Sequence, residues 1–135
     1  MSPRRNTSDG KGWFLDLGDV QVIAEVCLNG QQLGTLWKPP FRVEITDALK
    51  PGENELEIRV TNLWVNRLTG DEQFPADIAW GDRFLEAWPT WFLEDRPRPE
   101  PRRKTLTVVK HYSKDGPLMK SGLLGPVTLQ TAEMP

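Results

Sequence analysis

From Glu55 to Thr61 the chain alternates without a break. Leu56, Ile58 and Val60 take one side, and Glu55, Glu57, Arg59 and Thr61 take the other. Successive side chains of an extended chain point to opposite faces, so as a strand this run buries one face and wets the other. Wound as a helix it would scatter its apolar groups around the axis. Lys50-Pro51-Gly52-Glu53-Asn54, just before it, has the proline and glycine of a turn. No segment repeats its apolar residues at 3.6 over a helical length, and no internal repeat is visible. The frame is therefore antiparallel β.

Further strands follow from the same pattern. Val22, Ala24, Val26 and Leu28 share a face and lead into Asn29-Gly30, the strongest short hairpin signal, with Gln32 to Trp37 as the return strand. Trp13 to Leu17 forms a short strand ending at Gly18-Asp19. Pro39-Pro40 breaks the chain, and Phe41 to Ile45 resumes it with Phe41, Val43 and Ile45 on one face. Thr46 to Leu49 is expected to make one tight, helix-like turn capped by Thr46. Thr105 to Tyr112, rich in β-branched residues, and Gly125 to Gln130 close the set. About seven short strands with turn punctuation predict an antiparallel β-sandwich or jelly roll.

Between residues 63 and 104 no period holds. Structureless loops beyond about 12–15 residues are uncommon and usually have a task. Six tryptophans stand in the chain, and Trp64, Trp80, Trp88 and Trp91 fall in this stretch. Its end, Arg96 to Lys104, alternates prolines with charges and reads as an extended, solvated link. The expected organisation is a flexible leader over 1–12 and one sandwich domain over 13–132, with 63–104 inserted as a long aromatic-rich loop.

Composition narrows the function classes. With 135 residues the chain fits one domain. A net charge of −2, from 17 basic and 19 acidic residues, argues against a general nucleic-acid binder. No apolar run approaches the roughly 20 residues of a membrane helix, and the polar start is not a signal peptide. The single cysteine, Cys27, cannot form an internal disulfide and reads as a small buried hydrophobe. His111 stands in a predicted strand with no partner motif and reads as structural.

Several pieces resemble the sugar-binding domain of family 2-type glycoside hydrolases: Leu15-Asp-Leu-Gly-Asp-Val20, Ala24-Glu-Val-Cys-Leu-Asn-Gly30, Gly34-Thr-Leu-Trp-Lys-Pro-Pro-Phe41, Asp47 to Leu56 and Val60-Thr-Asn-Leu-Trp-Val-Asn-Arg67. With Gly70-Asp-Glu-Gln73 and Ser121-Gly-Leu-Leu-Gly-Pro-Val127, the match resembles the C-terminal domain of bacterial α-L-rhamnosidase-like hydrolases and covers roughly 13–130. The resemblance implies a galactose-binding-like jelly roll attached to a large hydrolase of plant polysaccharides, with the catalytic residues in another domain and a periplasmic or secreted setting. It also implies a possible structural calcium, for which Asp16, Asp19, Asp47 and Glu53 flank turns. Family members carry one or two strands ahead of the segment matching Trp13. Without them a strand edge would be open to self-association.

Sugars stack their C–H faces on aromatic rings and give their hydroxyls to amide, guanidinium and carboxylate forks. Trp64, Asn66, Arg67, Asp71, Glu72 and Gln73 supply all these groups just after the best strand. They form the candidate carbohydrate-binding loop. The bland alternative has Arg67 paired with Asp71 and Trp64 capping the core. Trp80, Trp88 and Trp91, with Phe84 and Phe92, are a second aromatic candidate, or else a satellite cluster or a domain interface. Asp71, Glu72, Asp77, Asp82 and Glu86 raise catalysis, which needs two carboxyls about 5–10 Å apart; acids in a polar loop are ordinarily solvated. No metal motif is present. Two readings follow: a non-catalytic carbohydrate-binding accessory domain, or a structural module that buttresses a catalytic domain without touching sugar.

Overall fold

The computed structural model describes residues 10–99 and 103–133. Most of the expected leader, residues 1–9, and the middle of the proline-rich link, residues 100–102, lie outside the described residues. The chain divides into two compact units. One joins residues 1–63 to 120–135, and the other is 64–119.

The first unit holds every strand among the described residues: β1 (Lys11–Asp16), β2 (Asp19–Gln21), β3 (Ile23–Leu28), β4 (Gln31–Leu36), β5 (Arg42–Glu44), β6 (Leu56–Thr61), β7 (Gly122–Gly125) and β8 (Thr128–Glu133). They form antiparallel sheets in the orders β5-β1-β8, β4-β3-β6 and β2-β7. The alternation in β3 has the predicted outcome: Ala24, Val26 and Leu28 are buried and Glu25 is exposed. They meet Leu15 and Leu17 of the β1 segment, Val20, Phe41, Ile45 and Ala48 in one apolar cluster between the sheets. Burying a leucine such as Leu17, which is fully enclosed, stabilises by about 1.5–3 kcal/mol.

The Asn29-Gly30 hairpin forms as expected. Both residues take positive φ, 54° and 80°, which matches the twist of the flanking strands. Asn29 also ties two turns together. Its side-chain amide donates to Ala48 O (2.7 Å) and to Asn54 Oδ1 (2.8 Å), and its oxygen accepts the Glu55 N–H (3.0 Å). Gly18 is required for a different reason: at φ +66° a Cβ there would lie 2.5 Å from the Gly125 carbonyl carbon.

Four expectations need correction. The strand predicted over Thr105–Tyr112 does not form; only Val109 makes a ladder bridge, to Phe84. Its first residue is drawn elsewhere, because the Thr105 N–H and hydroxyl both bond Asp71. The stretch after Leu63 is not loop throughout, since Val65–Asp71 (α1) and Thr90–Leu93 (α2) are short helices. They are too short to show a period. Thr46 does not cap its own turn; its hydroxyl accepts the Trp13 N–H at 2.9 Å and fastens the turn to β1. The closing strand is two strands, because Pro126 lacks the N–H a ladder needs and divides β7 from β8. In addition β1 begins at Lys11, inside the expected leader.

The strand anticipated most firmly holds no fully buried residue. β6 lies at the end of its sheet, and Leu56, whose register partner Leu28 is buried, is 42% exposed. Leu129 of β8 sits opposite buried Leu15 and is 59% exposed. An apolar cleft of about 280 Å3, lined by these four leucines with Ile45 and Leu49, opens beside them.

Candidate functional site

The aromatic and polar residues singled out as sugar-binding candidates all belong to the second unit, 64–119. This unit is organised by buried polar groups. Among its described residues the buried ones are Thr69, Asp71 and Arg103, while Trp64, Phe74, Phe84, Trp88, Phe92 and Leu93 stand exposed.

Asp71, at the end of α1, is the hub. Its side chain is 2% exposed. One carboxylate oxygen accepts from Lys104 N–H (2.7 Å), Thr105 N–H (2.6 Å) and the Thr105 hydroxyl (2.7 Å). The other lies 3.4 Å from Arg67 Nε, one helical turn back. Burial alone pushes this carboxyl up, but the Thr105 and Lys104 donors together with Arg67 outweigh it, and it is held below the usual carboxylate range. Arg103 makes the second knot. Its guanidinium donates to Glu72 (2.8 Å), to Phe74 O (2.6 Å) and to Pro75 O (3.0 Å). Arg98 makes the third, forking onto Asp77 (2.5 and 2.9 Å), reaching Thr105 O (2.6 Å) and lying 5.3 Å over the Trp91 ring. Charge-assisted, bidentate bonds of this kind are the strong ones.

The candidate loop residues are therefore close together but differently employed. Asn66 donates to Met119 O and accepts the Met119 N–H, both at 2.8 Å, so its amide is matched on both sides. Gln73 donates to Lys114 O at 2.8 Å. Asp71 and Glu72 serve the internal ties just described. Arg67 pairs with Asp71 and keeps a half-exposed side chain. Trp64 is not packed over a core; it is 67% exposed. It borders an open groove of about 320 Å3 with Leu68, Lys104, Thr105, Leu106 and Thr107.

The second aromatic set forms a small cluster. Trp88 stacks on Phe92 with ring centres 5.0 Å apart, and Trp91 meets Phe92 edge-on at 6.1 Å. Trp80 is partly buried and bridges Leu85 in a narrow hairpin. Arg98 and Arg103 are structural residues that sequence reasoning missed, having been read as part of a solvated link. Their signal was available only as a surplus of arginine near an acid-bearing loop; the pairing itself is tertiary. Of the carboxylates considered for catalysis, Asp71, Glu72 and Asp77 each bind an arginine within the unit. Of the turn acids considered for calcium, Asp16 accepts from Gly18 N–H and from Gln130, and Asp19 accepts from Gln21. Among the described residues no three His, Cys, Asp or Glu side chains converge as a metal site.

An antiparallel sandwich with a polar-knotted aromatic excursion after its β6 strand defines a galactose-binding-like module. Residues 2–104 match the family described as glycosyl hydrolase 2 galactose-binding domain-like, and the chain belongs to that family. It is similar to a protein of Formosa agariphila provisionally named beta-glucuronidase, 51% identical over 115 residues, which are 85% of this chain and 10% of that protein. It also resembles the structure of rhamnosidase from Novosphingobium sp. PP1Y, at 38% identity and a TM-score of 0.63, covering 93% of this chain and 10% of that one. The chain thus spans about a tenth of the length of each relative and corresponds to a small non-catalytic domain of much larger glycoside hydrolases.

Proposed function

We propose that this domain is a non-catalytic accessory module of a glycoside hydrolase acting on plant-type polysaccharide, and that it works chiefly as a buttress. One observation carries the reading. The polar side chains suited to hold a sugar are bonded within the 64–119 unit, whereas its large apolar side chains, including Phe84, Trp88, Phe92 and Leu93, face outward. Apolar groups clustered on a surface in this way mark a contact with other protein. Relatives ten times longer have further chain of the kind such a contact needs, which supports the reading. Hydrogen exchange tests it: amides of 84–93 exchange fast in this chain and are shielded at the matching positions of a longer family member. Equal exchange in both would sink the buttress.

A second reading, direct carbohydrate contact, is favoured by the exposed Trp64 ring beside Lys104 and Thr107. Titration with rhamnose- or glucuronate-containing oligosaccharides decides it. The buttress predicts no saturable tryptophan-fluorescence change. A saturable change that Trp64→Ala removes, with the fold kept, would favour sugar binding.

A further inference from the structure

The open edge of β6 has its own logic. Glu55 O accepts the Asn29 N–H (2.8 Å) and Thr61 O accepts the Val22 N–H (3.1 Å), so the odd-numbered residues of β6 turn their backbone groups toward β3. By alternation, the N–H and C=O groups of Leu56, Ile58 and Val60 point away from the sheet. No described strand pairs with them. Their side chains lie on the core-facing side, while Glu57 and Arg59 stand on the solvent face with side chains 51% and 72% exposed.

We propose that this edge binds a second copy of the chain, β6 against β6, antiparallel about Ile58. The two-fold arrangement follows from charge. Centred on Ile58, it sets Leu56 opposite Val60 of the second copy and Ile58 opposite itself, all with outward backbone groups, so the ladder closes with no orphan. Glu57 then faces Arg59 of the second copy, and Arg59 faces its Glu57. Both fall at non-hydrogen-bonded positions, where side chains approach most closely. Within one copy Glu57 and Arg59 already form an ion pair. The dimer re-pairs them across the seam. Sliding the register one ladder step puts Arg59 on Arg59 in one direction; in the other it puts Glu57 on Glu57 and sets Arg59 against Glu55 at the frayed end of the strand. The register about Ile58 is the one of the three with no like-charge contact. The join also lays Val60 of the second copy beside exposed Leu56, continuing the apolar row into a six-stranded sheet.

Sedimentation velocity on the full chain, from low micromolar to near-millimolar, should show a concentration-dependent dimer. Glu57→Lys alone sets Lys against Arg59 at both contacts, and Arg59→Glu alone sets Glu against Glu57. Each should weaken dimerisation by roughly tenfold or more. An equimolar mixture of the two variants restores both opposite-charge pairs and should recover the dimer as a heterodimer. A monomeric wild-type chain at all concentrations overturns the proposal, as does a dimer indifferent to either charge change or a mixture no tighter than the single variants. Arg59 lies opposite Glu25, so its reversal also sets like charges against each other within the β3–β6 pair. Amide exchange on the unaltered chain covers that case. Protection of Leu56, Ile58 and Val60 must rise with concentration while that of β4 does not; no rise rejects the β6 seam.

Discussion

Replacing Asp71 by alanine removes the acceptor on which the 64–119 unit converges. Three donors, the Lys104 N–H, the Thr105 N–H and the Thr105 hydroxyl, lose a partner at 2.6–2.7 Å, at a site where the carboxylate side chain is only 2% exposed. A hydrogen bond to a charged group contributes about 1.5–3 kcal/mol net. The three share one oxygen, so their contributions do not add. A buried donor left without an acceptor costs about 1–3 kcal/mol, and the half-exposed Arg67 can rehydrate, so about 3 kcal/mol is the magnitude expected here. Four of the six tryptophans, Trp64, Trp80, Trp88 and Trp91, lie in this unit, so fluorescence reports on it, while far-ultraviolet dichroism follows the strands of the other. With a urea slope of about 1–3 kcal/mol/M, the fluorescence midpoint of Asp71→Ala should fall by about 1 M or more, and the dichroism midpoint should move less. Asp71→Asn, which keeps one acceptor oxygen, should fall between. A fluorescence shift of under about 0.3 M would refute the reasoning, because it would mean that the freed donors are fully rehydrated.

The same carboxylate makes the unit acid-sensitive. Its folded pKa is depressed, so its stabilisation is complete above the unfolded value of about 3.9 and is lost as pH falls through the lower folded value. The gap between the urea midpoints of wild type and Asp71→Asn should be constant above about pH 5 and narrow as pH falls below about 4; a gap that does not narrow in acid would contradict this. Gly18→Ala should prevent normal closure of the sandwich, since its Cβ would meet Gly125 backbone at 2.5–2.6 Å in a positive-φ conformation. Thermal melting should show a loss of several degrees or no cooperative transition. Leu17→Ala, at a fully buried site, should cost about 2–5 kcal/mol in urea denaturation.

Strand alternation and turn chemistry are local properties, and the sequence by itself determined what depends on them. Val26 and Leu28 alternate with Glu25 and Cys27, Asn29-Gly30 accepts positive φ at low cost, and these made the β3–β4 hairpin and the antiparallel sandwich readable in advance. The family likeness was equally readable, because its motifs are carried by those turns. The candidate site was readable only as a neighbourhood. Trp64 to Gln73 are indeed clustered, but the employment of each polar group depends on residues thirty or more positions away: Lys104 and Thr105 for Asp71, Arg103 for Glu72, Met119 for Asn66. Tertiary structure alone decided that Thr105 would leave a strand to bond Asp71, and that Leu56 and Leu129 would flank a cleft instead of a sealed core. The physical reason is that alternation states which face of a strand is apolar, whereas covering that face, and satisfying a buried carboxylate, depend on what the rest of the chain brings beside it.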